Sequence, residues 1–280
     1  MVFVIAEAGV NHQGDMSLAK RLIDTARDCG ADAVKFQLFD PEVLEPPGAR
    51  REMLKSLHIG WGGMRELQAH CRDVGIEFIC TPFDPGSAQF LIDELEVRTV
   101  KIGSADLDNI DLLDAVSKGT HLVILSTGMA TRPKIEAALA RFWIQERLGP
   151  GLGLGVFLLH CVSAYPTPVM DMHLTAIADM LGEYDCSGVG LSDHSLSVIA
   201  PAVAVGIGAS VIEKHLTLSR DMDGPDHKAS LEPDEFRQMV ANIREAELAI
   251  GTQGRDGPMP CETDVFEVAK ERRAWRESLS

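Results

Sequence analysis

Eight short apolar runs, each followed by an amphipathic stretch, recur along this chain, and that alternation limits its folds more than any other feature. The runs are 2–7, 31–37, 76–81, 99–104, 122–127, 156–161, 188–192 and 209–215. Helical patterns follow near 16–29, 61–74, 85–95, 109–118, 131–147, 172–182, 196–208 and 233–250. Thr131 stands before Pro133 at one predicted helix start, and Pro233 opens the last helix ahead of Asp234 and Glu235. Gly30, Gly75, Gly119 and Gly208 punctuate helix ends. Eight strand–helix units in about 250 residues match a single-domain (β/α)8 TIM barrel, an α/β fold. An open doubly wound sheet is the competing architecture. The stretch GVNHQG at 9–14 lacks the GxGxxG spacing that a dinucleotide-binding sheet of that kind needs after its first strand. The barrel is expected over 1–250, with a charged tail over 251–280.

A formal charge of −16 disfavours nucleic acid and anionic lipid as partners. No apolar run reaches the roughly 20 residues of a membrane span, and the amino terminus lacks the pattern of a signal peptide. Six cysteines without CxxC spacing read as free thiols in a reducing, cytoplasmic setting.

Polar residues collect where the strands end. Glu7, Lys35, Gln37, Thr81, Lys101, Ser104, Asp106, Ser126, His160, Ser163, Tyr165, Ser192, His194, Glu213, Lys214 and His215 all lie at or just past such ends. In a closed parallel barrel these ends share one face, where the chemistry sits. A ring of charges there requires mutual pairing or a ligand. His194 and His215 close adjacent strands and are placed to meet on one cation; two loop histidines in hydrogen bonds are the plain alternative. His160, inside LLHC, is equally readable as a core histidine, and Asp226 as a turn residue of its Gly-Pro-Asp stretch. Lys35 and Lys101, with the hydroxyls of Thr81, Ser104, Ser126 and Ser192, make an anion cradle. No Walker loop is present, which argues against nucleotide phosphoryl transfer.

The segments IAEAGVNHQGDMSLAKRLIDTARDCGADAVKFQ, TPFD, VKIGSADLDNIDLL, VILSTGMAT, LLHCVSAYPTP, GLSDHS and VIEKHLTL…GPDHKASLEPDEF closely resemble the N-acetylneuraminate (sialic acid) synthase family, in order over roughly 3–250. The resemblance implies a (β/α)8 barrel that condenses phosphoenolpyruvate with an N-acetylated amino-sugar aldehyde. N-acetylmannosamine is the type substrate, and the products are a nine-carbon 2-keto sugar acid and phosphate. It implies a divalent metal, Mn²⁺ or Mg²⁺, on His194 and His215; imidazole donors with oxygen ligands suit Mn²⁺ better than Mg²⁺. It implies phosphoenolpyruvate on Lys35, Thr81, Lys101, Ser104, Ser126, Ser163 and Ser192, and the sugar against Gln37, Tyr165 and Asp226. Glu7 and Asp106 are then the catalytic carboxylates, and a homodimer is the common assembly. Legionaminic, pseudaminic and spore-coat polysaccharide synthases are related alternatives, and a non-catalytic sugar-binding barrel is a more distant one.

Two positions depart from the family pattern. Many members carry Glu where Asp106 stands and Asn where Ser163 stands. The family usually adds a C-terminal antifreeze-like (SAF) domain of about 60 residues, small for an independent domain. That domain reaches the neighbouring subunit's site and gives an arginine to the acyl group; the sequence here stops short of it.

Overall fold

The computed structural model describes residues 1–148, 154–251, 254 and 256–279. Its eight strands are β1 (Phe3–Gly9), β2 (Ala33–Leu38), β3 (Glu77–Pro82), β4 (Thr99–Ile102), β5 (Leu122–Ser126), β6 (Gly155–Cys161), β7 (Gly188–Asp193) and β8 (Val211–His215). Each pairs in parallel with the next, and β8 returns to β1 in the register Glu7↔His215, closing the barrel. This is the (β/α)8 architecture that the alternating pattern predicts.

Between strands run α1 (Met16–Asp28), α2 (Pro41–Leu44), α3 (Ala49–Leu57), α4 (Gly60–Val74), α5 (Pro85–Asp93), α6 (Ile110–Ser117), α7 (Arg132–Leu148), α8 (Ala176–Glu183) and α9 (Ala200–Ile207), with α10 (Pro233–Ile250) after β8. The helix starts are chemically specified. Asp15 accepts from the amides of Ser17 and Leu18, Asp84 from Ser87, and Asn109 from Leu112. Gly75 and Gly208 end α4 and α9 in left-handed conformations, where a side chain is disfavoured.

The main apolar core lies between the sheet and its helices. A second cluster fills the barrel interior: Ile5, Ala33, Ile79, Ile124, Leu159 and Val211. Side chains on a strand alternate faces, so the residue two positions further along each strand also points inward. Those residues are Glu7, Lys35, Thr81, Ser126, Cys161 and Glu213. An apolar layer thus supports a polar one at the carboxyl mouth, and the parity of the strands generates both.

Three details differ from the sequence expectation. The segment between β2 and α4 holds two short helices, α2 and α3, that its Pro-rich composition conceals. Helices α8 and α9 begin about four residues later than the patterns suggest. Before α9, the carbonyls of Ser195 and Ser197 turn to accept from Lys214 Nζ at 2.5 and 3.3 Å, so that stretch is not helical. Ser104 lies beyond β4, in a 3₁₀ turn, Ser104–Asp106.

By its internal contacts the chain forms one unit over Met1–Glu247 and a second over Leu248–Ser280. The second contains α11 (Thr263–Ser278). Residues 252, 253, 255 and 280 of the expected tail lie outside the described residues. Among the described residues, no helix is long and apolar enough to cross a membrane.

Candidate active site

A cavity of about 590 Å³ opens at the carboxyl ends of the strands and is lined by all fourteen of the residues singled out as site candidates. Glu7, Lys35, Gln37, Thr81, Lys101, Ser126 and Ser192 enter it from the strands themselves. Ser104 and Asp106 come from the turn after β4, Ser163 and Tyr165 from the loop after β6, His194 and His215 from the ends of β7 and β8, and Asp226 from the loop beyond β8.

The floor is an ionic row. Lys35 Nζ lies 3.0 Å from Glu7 Oε2 and 3.4 Å from Glu213 Oε2, and Lys101 Nζ lies 3.9 Å from Glu213 Oε1. All four side chains are at most 5% exposed. Such burial is tolerable only because each charge has partners. Ser192 Oγ donates to Glu213 at 2.9 Å, Gln37 Nε2 to Glu7 at 2.8 Å, and Lys35 to Thr81 Oγ1 at 3.0 Å.

The two lysines are unequal. For Lys35, burial lowers the proton affinity, but two carboxylates at close range outweigh it and the pKa rises. For Lys101, burial prevails and the pKa falls: Glu213, with smaller help from Cys161 and Glu7, does not offset burial and the repulsion of Lys35. Glu213 is pushed up by burial, yet the ammoniums of Lys101 and Lys35 and the Ser192 hydroxyl hold it down at about 2. Ser126 Oγ lines the same cavity, buried, with no hydrogen-bond partner among the described residues. A buried hydroxyl with no partner, in one cavity with two ammoniums, suits an anionic ligand.

Glu213 is the residue that reasoning from sequence underused. It stands at a strand end, but no role was assigned to it. Its parity with Val211 and His215 is the signal that places it inside. Lys214, between them, faces outward and pairs with Asp193 at 2.6 Å, both side chains fully buried. His160 has the same outward parity; its Nε2 meets the Met172 carbonyl at 2.7 Å, and it does not line this cavity.

The other side of the mouth is aromatic and imidazole-lined. The rings of His194 and His215 have centroids 5.4 Å apart, and Tyr165 packs on both, at 4.1 and 5.9 Å. His194 Nδ1 lies 2.9 Å from the Val162 carbonyl, which can only accept; Nδ1 therefore carries the hydrogen and Nε2 the free lone pair. His215 Nδ1 is buried without a hydrogen-bond partner among the described residues, 3.9 Å from Asp226 Oδ2. Among the described residues, no group of three His, Cys, Asp or Glu forms a metal cage. Two buried imidazoles, with an uncommitted Nδ1 on His215, fit a cation that takes its other ligands from substrate and water.

The loop that carries Asp226 is tied to the segment after β1 by hydrogen bonds. Gln13 Nε2 lies 3.1 Å from His227 Nε2, and His227 Nδ1 lies 2.7 Å from Thr217 Oγ1. Asn11 Nδ2 donates to the Leu216 carbonyl and to Ser230 Oγ, both at 2.9 Å. The NHQ stretch after β1 thus fastens the loop after β8. Gly9 adopts φ +51°; a Cβ there would come within 3.1–3.2 Å of Glu7 Oε1, Asp226 Oδ2 and Gln37 Nε2. Asp106, half-buried, accepts from Asn109 at 3.2 Å. Burial raises its pKa, helped by nearby Asp108 and opposed by the Asn109 hydrogen bond.

The NeuB family model matches residues 22–255. The chain belongs to the NeuB family. It is 41% identical over 270 residues to an uncharacterized protein of Methanocaldococcus jannaschii, covering 96% of this chain and 77% of that one. It is 36% identical over 292 residues to the N,N'-diacetyllegionaminic acid synthase of Legionella pneumophila, covering 99% and 81%. The crystal structure of the N-acetylneuraminic acid (sialic acid) synthetase of Leptospira borgpetersenii superposes with a TM-score of 0.86 at 36% identity, covering 97% and 92%. As a NeuB-family member this chain is a sugar-acid synthase.

Proposed function

We propose that this NeuB-family enzyme joins phosphoenolpyruvate to an N-acylated amino-sugar aldehyde, giving a nine-carbon 2-keto sugar acid and inorganic phosphate. One observation carries the proposal. A buried lysine–carboxylate row and a pair of imidazoles line one cavity at the barrel's carboxyl mouth. An anionic enol phosphate and a polarisable aldehyde need those two environments side by side.

Lys35 and Lys101, with Thr81, Ser104, Ser126, Ser163 and Ser192, hold the phosphate and carboxylate and fix the methylene carbon toward the aldehyde. His194 and His215 are the residues that would hold Mn²⁺ or Mg²⁺, which when bound supplies Lewis acidity toward the aldehyde oxygen. Imidazole donors favour Mn²⁺ of the two. Gln37, Tyr165 and Asp226 orient the sugar. As the carbon–carbon bond forms, cationic character develops at the carbon bearing phosphate. Glu7, hydrogen-bonded by Gln37 and paired to Lys35, stabilises that charge. Asp106 takes the proton of the water that adds there, and phosphate departs by carbon–oxygen cleavage. A carboxylate with raised proton affinity suits that base role better than an ordinary one.

The test is phosphate release from phosphoenolpyruvate with Mn²⁺ and a panel of N-acylated hexosamines. Release that depends on the sugar, with a 2-keto acid formed in equal amount, is expected. Absence of both with every member of the panel would refute the proposal. A diacetamido sugar of the legionaminic kind belongs in the panel, because the Legionella pneumophila relative matches over nearly the whole chain.

A further inference from the structure

The segment α2–α3 forms a lid on the cavity with a small core of its own. Val10, Phe39 and Leu57 are buried there, with Leu44, Leu54 and Phe83 packed around them, apart from the main core. The lid is clamped from below: Gly14, at φ +76°, lies so close to the Ser56 carbonyl that a Cβ would stand 2.5 Å from its oxygen. Leu44, Met53, Leu54 and Leu57 of the lid face the cavity, together with Phe39 and Phe83.

The charges around the cavity run against a second anion. Its lining cations among the described residues, histidines aside, are Lys35, Lys101 and Arg50. Against these three stand five carboxylates, Glu7, Glu45, Asp106, Glu213 and Asp226. Lys35 and Lys101 lie on the floor, where the enol phosphate takes them. At the mouth, Arg50 is paired with Glu45 at 2.8 Å. The other basic residues of the lid turn to its own acids: Arg51 lies 2.5 Å and Lys55 2.7 Å from Glu42. The lid therefore offers apolar surface and self-neutralised charge.

Resting on the condensation reading above, we infer that the α2–α3 lid selects an uncharged sugar whose acyl methyls or deoxygenated carbons pack on Leu44, Met53 and Leu54, and rejects a sugar carrying its own phosphate. A phosphate dianion at the lid would meet an apolar wall, a Glu45–Arg50 pair with no charge to spare and an already anionic neighbour on the floor. Like charges set together in a half-desolvated cleft discriminate strongly. The apolar wall, in contrast, gains from every methyl it covers.

The experiment compares kcat/KM for an N-acetylated hexosamine, its 6-phosphate and a 6-deoxy diacetamido analogue, with phosphoenolpyruvate and Mn²⁺ saturating. The 6-phosphate is expected to be poorer by about 100-fold or more, and the deoxy diacetamido sugar to be the best of the three. Met53→Lys should narrow the gap against the 6-phosphate by roughly tenfold. Equal or better turnover of the 6-phosphate would overturn the lid inference and leave the condensation reading intact. If none of the three turns over, the condensation reading fails. Calorimetric binding of the same sugars then decides the lid separately: tighter binding of the uncharged ones supports it, and equal binding or none overturns it.

Discussion

Lys214 Nζ lies 2.6 Å from Asp193 Oδ2 on the outer face of the barrel, both side chains fully buried, while its chain neighbours Glu213 and His215 line the cavity. One strand thus serves structure and site on alternate residues. Lys214→Met leaves Asp193 as an uncompensated buried charge and is expected to cost about 3–5 kcal/mol, read as a lower denaturant midpoint. Lys214→Met combined with Asp193→Leu should recover most of that loss. A single variant as stable as the wild type would contradict this assignment.

Glu213 ties the floor to acid stability. Its folded pKa is depressed from 4.5 to about 2 by the two lysines and Ser192, against burial. A depressed acid stabilises the fold above its unfolded pKa, and that stabilisation is lost as pH falls from about 4.5 toward 2. The contribution is on the order of 3 kcal/mol. Unfolding free energies measured from pH 6 to pH 3 should therefore fall more steeply for the wild type than for Glu213→Gln. Parallel curves would show that the pairing is not made in solution.

Asp106 should set the acid limb of the rate profile. Burial raises its pKa above the ordinary 3.8, so the basic form, and with it kcat/KM, should appear at a pH above the usual carboxylate range. Asp106→Asn is expected to abolish that limb and lower kcat by about 10²–10⁴-fold, with little change in phosphoenolpyruvate binding. A limb unchanged in the variant would assign it to another group.

Gly9 combines a left-handed backbone with a place where Glu7, Gln37 and Asp226 converge. Gly9→Ala is expected to cost about 1–2 kcal/mol of stability from the backbone alone. It should also raise KM for the sugar several-fold, because the added methyl presses on all three polar atoms. A stability loss with sugar KM unaltered would place the sugar away from this glycine.

Much of this was legible in the chain. Eight alternating units predict the barrel, and strand-end polarity predicts which residues share the cavity. What the residue list alone does not convey is their sorting by face. Glu213 and Lys214 look alike at a strand end, yet parity with Val211 sends one to the cavity and the other toward Asp193. His160 goes outward by the same rule. The lid was hidden for a different reason. PEVLEPPGARREMLKSL mixes helix formers with a Pro-Pro-Gly break, and its apolar residues pack on one another and on Phe39 and Phe83 across the chain. Local periodicity carries no trace of such contacts. Where α9 starts was also nonlocal, being set by Lys214 on the neighbouring strand.

We propose that His194 and His215 together hold one divalent cation beside the lysine floor. Manganese binding followed by electron paramagnetic resonance, on the wild type and on His215→Ala, tests it most directly. One Mn²⁺ per wild-type chain, with affinity weakened by more than about 100-fold in a variant that stays folded, is the predicted result. Undiminished binding in His215→Ala would contradict it.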